Sequence, residues 1–412
     1  MPPLWSGWLR RRQDQRVPVA NHARAGRTCA GRTAGDQAVK VALIRQQFRP
    51  DGGAERMVMN TIQALSGKQV ELSVIAHQWQ PAGTTGMPVE FLQAERKGLT
   101  RAAKLRTFTA AVQERLRAHP FDIVQSFERV PGVQIYRAGD GVHATWLEQK
   151  ARMDGPLSRW WTRHDHFHRA VMEQESALYA HPALRKVICI SEMIRKDVML
   201  RFGVSPEQAV TVYNGVDLTR FRPREKHERQ AIRQRLGLPK CAPILLYVGS
   251  GFQRKGVDIL LQAAATLPED LHWVICGHDK AIARYQKRAH QLGLSGRIHF
   301  AGPQADIADW YALADALVHP AWYEPFGNVV LEALASGVGV IATDRTGASE
   351  LLTPGCGAVV PAGNAGELAD AIRRHLADFE SWRTNARKVA EDYPLSRMSA
   401  SLLSLYQEIL ET

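Results

Sequence analysis

Short apolar runs alternate with longer helical stretches along this chain, and the alternation occurs twice. In the first series Val39-Lys-Val-Ala-Leu-Ile-Arg45 reads as a buried strand. It runs into Arg49-Pro-Asp-Gly-Gly-Ala-Glu-Arg56 and then a helix through about Leu65. Further strands are expected at 70–76, 121–126, 186–190 and 209–213, with helices between them. The segment Asn214-Gly-Val-Asp-Leu-Thr-Arg-Phe-Arg-Pro223 breaks the pattern, and a polar run follows to about Lys240. A second series then begins, with strands at 244–248, 272–276, 297–300, 316–319 and 338–342, and a last helix near 396–411 follows Pro394. Strand–helix alternation buries its strands in parallel sheets, so the expected fold class is α/β, in two domains that meet near residue 214. The 412 residues fit two or three domains, and no repeat of solenoid period is present.

Composition narrows the function. With 45% hydrophobic and 23% charged residues the chain is not expected to be disordered, and no run approaches 18 consecutive apolar residues, as a spanning helix would need. Five scattered cysteines (Cys29, Cys189, Cys241, Cys276, Cys356) form no CxxC pair, which argues against a disulfide framework or a cysteine zinc site and fits a reducing compartment. The formal net charge of +12 calls for an acidic partner: nucleic acid, an anionic membrane surface or a phosphorylated substrate. Residues 1–38 carry seven arginines against Asp14 and Asp36, with no apolar period and no secretory apolar core. They are expected to be a basic, disordered tail or residues upstream of the true start, rather than a binding arm.

Two local patterns carry chemistry. In Glu324-Pro-Phe-Gly-Asn-Val-Val-Leu-Glu332, two carboxylates stand eight residues apart around a glycine. Glu324 falls in the loop after a strand that ends near His319, and a helix is expected to start near Gly327 or Asn328. Its unpaired N–H groups make an anion site, and Glu332 lies about one turn inside it. Carboxylates accept hydrogen bonds and suit vicinal hydroxyls, so the arrangement matches a molecule with diol, diphosphate and second diol in sequence: a sugar nucleotide. Taken alone, the pair also fits an ordinary acidic helix start. The second pattern, Tyr247-Val-Gly-Ser-Gly-Phe-Gln-Arg-Lys-Gly256, follows a strand and precedes a helix from Val257. Its glycines permit close backbone approach, and Arg254 and Lys255 offer cationic donors to a diphosphate; a tight turn with two solvated cations is the plainer reading.

Taken in order, Gly53 after the first strand, Asn214-Gly-Val-Asp217, the Arg254-Lys255-Gly256 turn and the Glu324–Glu332 pair resemble the retaining glycosyltransferases of family 4. Within that family they resemble the lipopolysaccharide core glucosyltransferase I type. The likeness runs over about residues 39–408 and includes the stretches Gly249 to Asp258 and Pro131 to Asp140. It implies the GT-B fold, two facing Rossmann-like domains: an acceptor domain at 39–214, a nucleotide-sugar domain at 215–390, and a terminal helix within 391–412 crossing back to the first. It implies that Glu332 holds the ribose of UDP, that Glu324 holds glucose hydroxyls, and that Phe326, Gly327 and Asn328 offer backbone amides. Arg254 and Lys255 would hold the diphosphate, Gly52 and Gly53 would let the first loop approach the ligand, and Asp140 would face the anomeric carbon. Many members carry arginine where Ser250 stands, and Arg254 is expected to supply that charge. The resemblance also implies no cofactor beyond the UDP-sugar co-substrate. With two cations and a helix terminus available and no Asp-x-Asp motif in the chain, no metal is expected either.

The loop from Phe127 to His143 follows a strand and brings Glu128, Arg129, Asp140 and His143 forward as acceptor-side candidates, with Asp140 or His143 polarising the acceptor hydroxyl. Farther on, Lys150 to Arg169 interleaves basic residues with Trp160, Trp161 and Phe167, and a basic helix carries Arg101, Lys104, Arg106, Arg115 and Arg117. The first suits an anionic membrane interface or the phosphates of an acceptor lipid, though an ordinary helix with a partly buried aromatic face reads the same way; the second is another basic surface candidate. His164, His166 and His168 alternate on a helix and point apart, which disfavours metal. The leading expectation is transfer of glucose from UDP-glucose to a heptose of the lipopolysaccharide inner core, at the cytoplasmic face of the inner membrane. Another UDP-sugar or lipid-linked acceptor, or a UDP-sugar 2-epimerase, remains open. No helix-turn-helix, RNP or zinc-finger pattern supports nucleic acid.

Overall fold

A computed structural model describes residues 38–47, 53–66, 68–79, 88–155, 160, 162 and 164–411. The expected basic tail, Gly52, Arg159, Trp161 and Arg163 lie outside the described residues.

Each lobe is built on an all-parallel sheet. The N-terminal sheet comprises β1 (Val39–Ile44), β2 (Val70–Ala76), β3 (Val89–Gln93), β4 (Ile123–Ser126), β5 (Ile135–Arg137), β6 (Lys186–Cys189) and β7 (Ala209–Thr211), in the order β3-β2-β1-β4-β5-β6-β7. The C-terminal sheet comprises β8 (Ile244–Val248), β9 (His272–Cys276), β10 (Ile298–Gly302), β11 (Ala316–His319), β12 (Gly339–Thr343) and β13 (Gly357–Val360), in the order β10-β9-β8-β11-β12-β13. The strand order reverses between β1 and β4 in one lobe and between β8 and β11 in the other. Ligands of such sheets bind beyond the carboxyl ends of the strands at that reversal. The two reversal points face one cleft, so this is the GT-B arrangement of two Rossmann-like lobes.

Strands covered on both faces read as unbroken apolar runs, and β1, β8, β11 and β12 are buried almost throughout. Three strands were not expected. β3 is a largely exposed edge strand with no buried position, β5 has only three residues, and β13 is a short final strand. β5 therefore interrupts the stretch expected to be a single loop from Phe127 to His143. The polar run before Lys240 is also not a linker throughout. It contains a helix, Lys226–Arg235, whose Arg229 and Arg233 are buried against Asp315 at 2.7 and 2.8 Å. Buried arginines hide that helix from a hydropathy pattern.

The chain crosses between lobes twice, and the crossings are laced together: Val216 N donates to Tyr393 O (2.9 Å) and Leu395 N donates to Val216 O (3.3 Å). The last helix, Leu395–Glu411, lies on the N-terminal lobe. Met398, Leu402, Leu405 and Ile409 join Met57, Val58 and Ile62 in one core, and Tyr406 Oη donates to Gln125 Oε1 (2.9 Å). Among the described residues no helix is long and apolar enough to cross a membrane.

Candidate active site

A cleft of about 1040 Å³ opens between the lobes. Its C-terminal wall grows from β8 and β11. After β8 the chain makes the turn Gly249–Gly256 and enters the helix Val257–Ala264. Gly256 has φ +76°, and a Cβ there would run into the Pro320 carbonyl oxygen, so only glycine lets this turn lie against the loop after β11. Trp322 N donates to Arg254 O (2.9 Å) and fixes that contact. Ser250 is used locally: its Oγ accepts from His278 N (3.1 Å).

The turn delivers two cations to one carboxylate. Lys255 Nζ and Arg254 Nη1 both lie 3.2 Å from Glu324 Oε2, and Arg254 Nη1 also donates to Tyr323 O (2.9 Å). Glu324 is only 15% exposed. Burial would raise its pKa, but Lys255 and then Arg254 outweigh that and bring it down to about 2. Its backbone is clamped by Glu324 N donating to Arg345 O and Gly347 N donating to Glu324 O, each 2.9 Å. Gly327, at φ +92°, caps the helix Asn328–Ala335, whose first N–H groups have no intrahelical acceptor. One turn in, buried Glu332 accepts from Tyr311 Oη (2.9 Å). Glu324, Phe326, Gly327, Asn328, Glu332, Arg254 and Lys255 all line the cleft.

The N-terminal wall contains Arg45, Phe127, Arg137, Asp140 and Asn214, together with Met57 from the helix Gly53–Leu65. Of the four acceptor-side candidates only Asp140 reaches the cleft; its side chain is 61% exposed. The other three lie behind it. Arg129 turns inward to buried Glu175 (2.8 Å) and to Gly141 O (2.8 Å), leaving one nitrogen 3.6 Å from Asp140. Glu128 is paired with Arg45 (3.1 Å) and accepts from Gln46 N (3.0 Å). His143 opens the helix His143–Met153, and its ring packs on His168, Nε2 to Nδ1 3.1 Å; burial and then Arg129 lower its pKa to about 4, so it is neutral. His168 is thus a structural partner, while His164 binds Trp160 O.

A family model described as "Glycosyltransferase Family 4" matches residues 51–220, and one described as "Glycosyl transferases group 1" matches 228–389, one for each lobe. The chain belongs to the family 4 glycosyltransferases. It is 29% identical over 380 residues to the lipopolysaccharide glucosyltransferase WaaG of Escherichia coli (strain K12), covering 88% of this chain and 98% of that protein. The crystal structure of WaaG, described as a glycosyltransferase involved in lipopolysaccharide biosynthesis, superposes with a TM-score of 0.74 at 27% identity, covering 88% of this chain and 99% of that one. The lipopolysaccharide core biosynthesis glycosyltransferase LpsE of Rhizobium meliloti (strain 1021) is 36% identical over 147 residues, 35% of this chain and 43% of that protein.

Other residues, marked by no sequence pattern, hold the loops around Glu324 in place. Tyr323, next to Glu324, receives Val142 N on its hydroxyl (3.1 Å), two residues beyond Asp140, and so ties the two walls together. Ser191 Oγ donates to Pro325 O (2.8 Å), and Glu350 accepts from the N-terminal amides of Glu192 (2.8 Å) and Met193 (3.3 Å). Buried His319, at the end of β11, is kept neutral by burial and by Lys255. Arg137 ends the three-residue strand β5 after Ile135 and Tyr136, and no pattern marked it because the strand itself is too short to show one.

The lowered pKa of Glu324 makes a pH prediction. A carboxyl titrating lower in the folded than in the unfolded chain stabilises the fold above the usual carboxylate range, and the contribution is lost as pH falls toward about 2. Urea midpoints measured from about pH 6 downward should therefore fall more steeply for wild type than for Glu324→Gln. Parallel acid limbs would show that the cluster adds nothing to stability.

Proposed function

We propose that this transferase moves glucose from UDP-glucose to a heptose of the lipopolysaccharide inner core, with retention at the anomeric carbon. The observation that carries the reading is the sequence of groups along one wall: Glu324, the cations Lys255 and Arg254, the helix terminus at Asn328, and Glu332. Sugar hydroxyls, diphosphate and ribose hydroxyls fit that order. Similarity to WaaG over nearly its whole length supports the choice of sugar and acceptor. Glu324 and Glu332 then hold the two diols, Lys255 and Arg254 hold the diphosphate with the amides of Phe326, Gly327 and Asn328, and Gly52 and Gly53 let the first loop approach the phosphate or acceptor.

In the proposed step the acceptor oxygen bonds the anomeric carbon on the face from which the diphosphate leaves. The bond from that carbon to the phosphate oxygen breaks, and the hydroxyl proton passes to the departing oxygen. Asp140, across the cleft, orients the acceptor hydroxyl, and no covalent nucleophile is assigned. Lys255, Arg254 and the helix amides stabilise the charge that grows on the leaving group, so the reaction runs with no metal and no resident cofactor.

A panel of UDP-sugars with truncated lipopolysaccharide, read by mass spectrometry in EDTA, tests this. UDP-glucose should give the hexose-extended product. Glu324→Ala should abolish it, and Lys255→Ala should lower kcat/KM by about two orders of magnitude or more. Product from another UDP-sugar would change the donor. Near wild-type turnover in Glu324→Ala would overturn the site.

We also propose that the enzyme works at the cytoplasmic face of the inner membrane, held by charge and shallow aromatic insertion rather than by nucleic acid. The helix Arg101–Ala118 carries five basic residues, although Arg106 is paired with Glu173 (3.3 Å) and Arg101 lies 3.7 Å over the Phe167 ring. Leu99, just before it, is fully exposed, and Trp160 is 53% exposed. Each cation near an anionic surface contributes about 1 kcal/mol, and salt screens it. Liposome binding should rise with anionic lipid and fall with salt, and Trp160→Ala with Trp161→Ala should remove what high salt leaves. Equal binding to neutral and anionic liposomes, or to neither, would refute the interfacial role.

A further inference from the structure

Several buried arginines in this protein sit on carboxylates: Arg129 on Glu175, and Arg229 and Arg233 on Asp315. Arg137 does not. It is 5% exposed, ends β5 and lines the cleft, and among the described residues no carboxylate pairs with it. The ionisable groups around it, Tyr406 and Cys189, are both held neutral by burial, and burial lowers the arginine's own pKa to about 10. Its Nη2 donates to Asn214 Oδ1, and Asn214 Nδ2 donates to Asn328 Oδ1 (2.7 Å), in the first residue of the helix that opens onto the cleft. The guanidinium thus stands two hydrogen bonds from that helix terminus, on the opposite lobe from Lys255 and Arg254.

A buried charge without a counter-ion is costly unless a ligand supplies one. We propose that Arg137 is a phosphate-binding residue contributed by the N-terminal lobe, so that a phosphate in the cleft is gripped from both lobes. A guanidinium suits this because its planar fork meets two phosphate oxygens at once. With ligand bound, the phosphate takes the place beside Arg137 that no carboxylate fills. Binding and approach of the lobes then become one event. The inference rests on reading the cleft as a nucleotide-sugar site, and the phosphate belongs either to the donor diphosphate or to a phosphorylated acceptor.

Calorimetry with full-length wild type, Arg137→Met and Arg137→Gln distinguishes these cases, using UDP against uridine, and KM for a truncated lipopolysaccharide before and after phosphatase treatment. Removing a charged hydrogen-bond donor should weaken one phosphate-bearing ligand by about ten-fold or more while its phosphate-free counterpart changes by less than about two-fold. The thermal midpoint of the ligand-free variants should not fall, because an unpaired buried charge has been removed. Selective loss with UDP assigns the donor diphosphate; selective loss with the phosphorylated acceptor assigns the acceptor. If no arm shows a selective loss, or if both variants melt lower and weaken uridine as much as UDP, Arg137 is only a strut to Asn214 and the inference is wrong. Wild type that binds neither UDP nor uridine would instead refute the nucleotide-sugar reading itself.

Discussion

The site turns on one carboxylate shared by two cations. Glu324 Oε2 holds Lys255 and Arg254 at 3.2 Å each, in a largely buried place where an unpaired charge of either sign would be expensive. Without ligand the carboxylate offsets one of the two cations and leaves the cluster one positive charge in excess. On the proposed reading, a diphosphate arriving beside it would offer the cations a second anion and release the carboxylate toward neutral hydroxyls. Such an exchange of partners would let one small region attract an anion and still bind a sugar. The tight geometry before it, with Gly256 against Pro320 and the Glu324 backbone clamped by Arg345 and Gly347, holds the three side chains in register.

The same loop joins the lobes. Tyr323 and Pro325, the neighbours of Glu324, receive hydrogen bonds from Val142 N and Ser191 Oγ of the N-terminal lobe. Glu350 adds a carboxylate at the N-terminus of the helix Glu192–Phe202, where the helix dipole favours it. Asp140 lies two residues from the Tyr323 contact, which places it beside the link between the two walls. The terminal helix, seated on the first lobe with Tyr406 on Gln125, keeps the second crossing short and the pair of lobes aligned.

Much of this was legible in the sequence, for identifiable reasons. β2, β8, β9 and β11 have the expected limits because strands buried on both faces are written as apolar runs between turn residues. The Arg254-Lys255 turn and the two carboxylates stood out because glycine and charge at strand ends have few structural uses. What escaped detection was encoded by contacts rather than by pattern. β5 is too short for a period, the helix Lys226–Arg235 buries arginines, and Glu128, Arg129 and His143 turn away from the cleft toward Arg45, Glu175 and His168. No spacing in the chain announces that Glu175 would claim Arg129, or that Arg137 would be left without a counter-charge.

Calorimetric titration of wild type and Glu324→Gln with UDP and with UDP-glucose tests the exchange of partners most directly. If the carboxylate competes with the diphosphate for Lys255 and Arg254, the substitution should make UDP bind tighter, by about three-fold or more. It should also erase any advantage of UDP-glucose over UDP. Weaker binding of UDP to Glu324→Gln would contradict the account.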